Sequence, residues 1–178
     1  AGALWHLGRS ADALADQDRA VAADRNAFAL WARAEILRRL DRNADALRDY
    51  DAALRLAPDD APSHAGRGIA LSRLGEIKEA GLAFDRAVAL DSGSDMLGRR
   101  AEFFVDHGQL KEAIADYSKI IEIDPTSILA RVNRATALGQ VGAYDEALAD
   151  CSAALRIEKN NPAIYRIRGS IFEHKGLT

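Results

Sequence analysis

A single cysteine, Cys151, excludes an intrachain disulfide framework and any zinc site built on several cysteines. Proline is scarce at 4 residues, and 5 Phe, 4 Tyr and 2 Trp are few for a β-sandwich. No apolar run approaches the roughly 20 residues of a membrane span, and no charged-then-apolar leader opens the chain. The four histidines, His6, His64, His107 and His174, are scattered singly, and no HExxH, paired-cysteine or glycine-rich phosphate loop occurs. With no nucleophile–base pair in view, neither catalysis nor a cofactor or metal is expected. A net charge of −3 and a pI near 5.8 give no general reason to expect a nucleic-acid partner. Compartment stays open, with the cytoplasm as the default.

What the 178 residues do have is 48% hydrophobic and 29% charged side chains, enough to bury a core. Ala, Leu, Arg, Asp and Glu dominate, and most of these favour or tolerate helix. They are arranged in a repeat. AIADYSKIIEIDP (Ala113 to Pro125) and ALADCSAALRIEK (Ala147 to Lys159) align without gaps at a spacing of 34, and ALRDYDAALRLAP (Ala46 to Pro58) aligns with both. AGLAFDRAVALDS and ALADQDRAVAADR extend the series towards the N-terminus. A second set lies upstream of each, from LWARAEILRRLDR to YRIRGSIFEHKGL. The blocks are a partial 1–26, then 27–60, 61–93, 94–127 and 128–161, then a partial or capping 162–178. Together they form a single array. Because the pattern runs off both ends and the first residue is Ala1, the chain reads as a piece of a longer protein.

Each block reads as two helices. In the fourth, Leu97, Ala101 and Phe104, then Ala113, Tyr117, Ile120 and Ile121, recur at three- and four-residue steps. Gly108 lies between the two sets, and Pro125, like Pro58, follows a second helix that cannot easily pass through it. Helix pairs this short are marginal alone and need stacked neighbours.

This pattern resembles the tetratricopeptide repeat (TPR) family over essentially the whole chain. Position 8 of the repeat is Ala34, Gly68, Ala101, Ala135 and Gly169, and position 11 is Leu37, Leu71, Phe104, Leu138 and Phe172. Position 15 is glycine except at Asp41; position 20 is Ala13, Ala46, Ala80, Ala113 and Ala147. Position 24 is Gln17, Tyr50, Phe84, Tyr117 and Cys151. Arg33, Arg67, Arg100, Arg134 and Arg168 occupy position 7, where the family is usually aliphatic; with a small residue next, the repeats are of an RG type. The family's frequent Trp at position 4 is absent, replaced by Leu30, His64, Leu97, Arg131 and Tyr165.

The resemblance implies an all-α, right-handed solenoid of antiparallel helix pairs, in which positions 8 and 20 are small so that the backbones can approach. The third block is one residue short near Ser92-Gly93-Ser94, which makes that junction the expected weak point. The Arg row faces Asp16, Asp49, Asp116 and Asp150 at position 23, which suggests an ion-pair ladder; the alternative is a grip on an anionic ligand. Cys151 reads as a small buried hydrophobe, and the Gly66–Gly68 pair as packing.

The implied function is a non-enzymatic protein-interaction scaffold that binds a peptide or helix in a concave groove lined by the first helices. Carried over by position, the groove residues are Trp5, Phe28, Trp31, Glu35, Arg38, Ile69, Arg73, Glu102, Val132, Thr136 and Arg166, with Asp106, Gln140, Ser170 and His174 beside them. Trp5, Phe28 and Trp31 are expected as rigid anchors, and loss of Trp31 is expected to weaken partner capture with little change in stability. The sub-type that clamps a C-terminal carboxylate needs a Lys and Asn set that no consecutive blocks supply; Asn133 stands alone. Two other classes remain open: a regulatory or substrate-docking module of a larger enzyme, and an element that self-associates through apolar strips at its ends, such as Ile164, Ile167, Ile171 and Phe172.

Overall fold

The computed structural model describes residues 2–176, and side chains from residue 12 onwards. The described residues form ten α-helices and no strand: α1 (Gly2–Ala23), α2 (Ala27–Arg39), α3 (Asn43–Leu56), α4 (Ala61–Arg73), α5 (Ile77–Leu90), α6 (Ser94–Asp106), α7 (Leu110–Ile123), α8 (Ile128–Gln140), α9 (Tyr144–Ile157) and α10 (Pro162–Lys175). None is long and apolar enough to cross a membrane. They form two compact units, residues 1–92 and 93–178.

The helix boundaries follow local chemistry. Asn26, Asp60, Ser127 and Asn161 start α2, α4, α8 and α10, and each side-chain oxygen accepts a hydrogen bond from a first-turn amide, Ser63 N to Asp60 Oδ2 at 2.9 Å for example. The first helix of the shortened block, α6, begins after Gly93 and has no such side-chain cap. Between the helices of a pair the chain turns through a left-handed residue, Gly75, Gly108 or Gly142, at φ of 83°, 71° and 80°. Asp41 adopts the same conformation at φ 59°, where its Oδ1 accepts from Asn43 Nδ2 at 2.7 Å.

In the first unit α2 packs on α3 and α4 on α5, with α3 against α4 and α1 against α2. The contact between partners has no spare room. Ala34, Ala46 and Ala80 are completely buried. A Cβ on Gly66 would sit 2.5 Å from the Tyr50 ring, and one on Gly68 would sit 2.9 Å from the Phe84 ring. Both glycines therefore serve packing.

The second unit repeats the arrangement, with α6 on α7, α8 on α9, and α10 against α9 and α8. Ala101, Ala113, Ala135 and Ala147 are all fully buried. Cys151 joins the cluster of Leu138, Ala154, Leu155, Ile164 and Ile171, and burial pushes its thiol pKa up, as befits a packing residue. In α6 the buried aromatic is Phe103, while the expected Phe104 is half-buried under the Arg100 guanidinium, 5.6 Å from its ring centroid. The apolar strip expected along α10 is smaller than its composition suggests. Ile164 and Ile171 are buried and Ile167 packs on the same cluster, which leaves Phe172 half-buried.

Three members of the Arg row form bidentate clamps at a constant separation of sixteen residues. Arg33 holds Asp49 at 2.6 and 2.8 Å, Arg100 holds Asp116 at 2.7 and 2.7 Å, and Arg134 holds Asp150 at 2.7 and 2.7 Å. Each ties the first helix of a pair to the second. Several also reach the preceding repeat: Arg33 to Asp18, Arg67 to Asp51 and Arg134 to the Ser118 hydroxyl. Arg67 has only that backward link among these, because Ala83 occupies the place of the aspartate.

Three substitutions check the packing and the turns. Ala147→Leu should lose about 1–3 kcal/mol in urea unfolding, because the α8–α9 crossing cannot admit the added carbons. Gly142→Ala should lose about 1–2 kcal/mol through left-handed strain. Gly169→Ala, inside α10 with open space at its Cβ, should instead gain about 0.5–1 kcal/mol.

Candidate functional site

The clamps and crossings occupy the second helices and the flanks of the first. The remaining face of α6, α8 and α10 carries two adjoining hollows in the second unit. One, of ≈ 300 Å³, is lined by Glu102, Val105 and Asp106 of α6, Tyr117 of α7, and Asn133, Thr136, Ala137 and Gln140 of α8. The other, of ≈ 480 Å³, is lined by Thr136, Gly139 and Gln140 of α8, Tyr144 of α9, and Ile167, Ser170, Ile171 and His174 of α10. Thr136 and Gln140 border both. Residues assigned to a groove by their repeat positions thus do converge here: Glu102, Asp106, Thr136, Gln140, Ser170 and His174. Tyr117 and Tyr144 were not anticipated, since they belong to second helices.

Polarity differs between the hollows. The first has two exposed carboxylates facing a buried Tyr117; burial, then the charge of Glu102, raises that phenol's pKa, while a side-chain hydrogen bond with Asn133 opposes the shift. The second has a floor of buried Ile171 and half-buried Ile167 and Tyr144 under a rim of hydroxyls, amide and imidazole.

The first unit holds the remaining expected residues in another arrangement. The Trp5 side chain lies outside the described ones. Phe28 is 72% exposed, its ring centroid 5.6 Å from that of Trp31. Trp31 itself is half-buried and packs on two apolar clusters, one with Leu37 and Tyr50, the other with Leu30 and Ala53. The expectation that removing Trp31 spares stability is therefore corrected: Leu14 and Val21 of α1 pack against the same clusters. Glu35 and Arg38 pair at 2.7 Å, and the Tyr50 hydroxyl donates a short hydrogen bond to Glu35. Both are engaged with their own chain. Ile69 is half-buried, and Arg73 is exposed, with Asp41 3.7 Å away. In the second unit Val132 packs against the core and Arg166 is exposed but lines neither hollow.

The polar residues that replace Trp at position 4 share one partner type. The His64 ring Nε2 lies 2.8 Å from Pro58 O, Arg131 donates to Pro125 O at 2.8 Å and the Tyr165 hydroxyl donates to Lys159 O at 2.9 Å. Each secures the carbonyl six residues back, in the turn between repeats, where it would otherwise depend on water.

Comparison with known proteins agrees with this geometry. The family model for the tetratricopeptide repeat matches residues 31–95 and 66–128. The chain belongs to the tetratricopeptide repeat family. Tetratricopeptide repeat protein 13 of Homo sapiens is 32% identical over 139 residues, 75% of this TPR chain but 16% of that protein. Among solved structures, a TPR protein from Parabacteroides merdae superposes with a TM-score of 0.78 at 20% identity, covering 97% of this chain and 69% of its own. YrrB, described as a TPR protein with an unusual peptide-binding site, gives 0.72 at 22% identity over 90% and 84%. The fold is that of the TPR solenoids.

Two measurements check the first unit of this TPR chain. Trp31→Ala should cost about 2–3 kcal/mol in urea unfolding, and Phe28→Ala less than about 0.5 kcal/mol. Burial and then the Glu35 hydrogen bond raise the Tyr50 pKa above its ordinary value of 10.0. Its contribution to stability is therefore complete below pH 10 and is lost as pH rises towards the folded-state value. Tyr50→Phe should flatten that alkaline decline in thermal melts taken between about pH 9 and 11.

Proposed function

We propose that this chain, whose TPR fold implies a protein–protein interaction scaffold, binds a peptide or a helix of its partner along the inner face of its first helices, and that it does so without catalysing a reaction. The observation that carries this reading is the pair of hollows on α6, α8 and α10, whose rim residues Glu102, Asp106, Thr136, Gln140 and Ser170 take part in neither the crossings nor the clamps. In the first unit, considered by itself, Phe28 is exposed on α2 and is an aromatic of the kind that anchors peptides. That YrrB, which shares the fold, is described as having an unusual peptide-binding site supports a peptide as ligand.

Self-association through α10 rests on Phe172, half-buried next to a Gly169 whose Cβ direction is open.

Peptide display against the 178-residue chain, followed by amide chemical-shift mapping, tests the main reading. Selected peptides should perturb Thr136, Gln140 and Ser170, and Thr136→Arg should weaken them at least tenfold. Perturbations confined to α7 and α9, or no loss with Thr136→Arg, would contradict it.

A further inference from the structure

We propose that the second unit recognises a two-pronged segment: an extended peptide that places a cationic side chain between Glu102 and Asp106 and a bulky apolar side chain in the hollow floored by Ile167 and Ile171. The inference rests on the inner-face reading above and names the chemistry of its partner.

The cationic prong follows from which acids are left over. Asp95, Asp116, Asp145 and Asp150 of this unit all engage Arg or Lys within 3.0 Å. Of the unit's acids that have no ion pair among the described residues, Glu102 and Asp106, one turn apart on α6, are the two that border the ≈ 300 Å³ hollow. A guanidinium or ammonium between two carboxylates forms charge-assisted hydrogen bonds with both. The Tyr117 phenol borders the same hollow as the two carboxylates. The hydroxyl and the Asn133 side chain offer a cation further hydrogen-bonding partners.

The apolar prong follows from the neighbouring hollow. Its ≈ 480 Å³ lie within the range of ligand pockets, and Tyr144, Ile167 and Ile171 give it an apolar lining. Gly139 keeps its wall low: a Cβ there would meet Ile171 at 3.4 Å. Thr136 and Gln140 stand on the ridge between the hollows, where a hydroxyl and a carboxamide can bond the backbone of a crossing peptide.

The shared ridge also sets the spacing. Helices packed side by side lie about 8–10 Å apart. A polyproline-type strand rises about 3.1 Å per residue and returns to the same face every third one, which separates the prongs by about three positions.

The test uses the 178-residue chain and fluorescent twelve-residue peptides in a Gly/Ser background. One carries Arg and, three positions on, Phe; the controls replace Arg by Glu or Phe by Ser. The Arg/Phe peptide should bind at least tenfold more tightly than either control and weaken with added salt. Glu102→Gln with Asp106→Asn should erase the preference for Arg and keep that for Phe; Ser170→Trp, which fills the second hollow, should do the reverse. Circular dichroism verifies that each variant is folded. Equal binding of the Arg and Glu peptides, or an Arg preference that survives the double variant, overturns the inference. Display-selected peptides that map to the inner face without a cation–apolar pair overturn it alone, whereas a failure of any peptide to map there overturns the inner-face reading as well.

Discussion

The close crossing of paired helices is the constraint on which the rest of this structure depends. Where α2 meets α3, α4 meets α5, α6 meets α7 and α8 meets α9, alanine or glycine stands at positions 8 and 20, buried to the last atom. Backbones that approach this far leave lateral space, and Tyr50, Phe84, Tyr117 and Cys151 fill it from one residue type after another. Larger groups at the crossing would separate the helices and empty the flanks, so each cluster depends on the smallest side chains in it.

The Arg–Asp clamps add direction to that contact. A crossing of small residues is permissive about rotation, whereas a bidentate guanidinium–carboxylate pair fixes orientation through two parallel hydrogen bonds. Arg33, Arg100 and Arg134 each pin a first helix to its second helix sixteen residues later. Their carboxylate partners are buried, so the net gain from each pair is modest, while the cost of leaving the aspartate unpaired is large. The clamps thereby specify which faces meet more than they raise total stability.

Most of this was legible in the sequence because it recurs. Ala at position 20 and Arg at position 7 appear in five blocks, and a feature repeated at a constant period marks the same physical environment each time. What could not be read is what breaks the period or crosses it. Adjacent aromatics at Phe103 and Phe104 leave the buried one undetermined by spacing, since a one-residue rotation of α6 exchanges them. Trp31 reads as an inner-face position, and only the packing of Leu14 and Val21 reveals that its ring is partly core. Arg67 takes Asp51 because Ala83 removes the regular partner. Tyr117 and Tyr144 border the hollows from second helices, which a rule about first helices passes over.

Two kinds of position lie side by side on one helix: those consumed by packing and those left for a partner. Ala135 and Thr136 are neighbours on α8, the first fully buried at the crossing with α9, the second exposed between the hollows. Equilibrium urea unfolding of Ala135→Leu beside Thr136→Leu compares the same side chain at both. The account predicts a loss of about 1–3 kcal/mol for Ala135→Leu and a change within about 0.5 kcal/mol for Thr136→Leu. Equal losses at the two positions, or a larger one at Thr136, would contradict it.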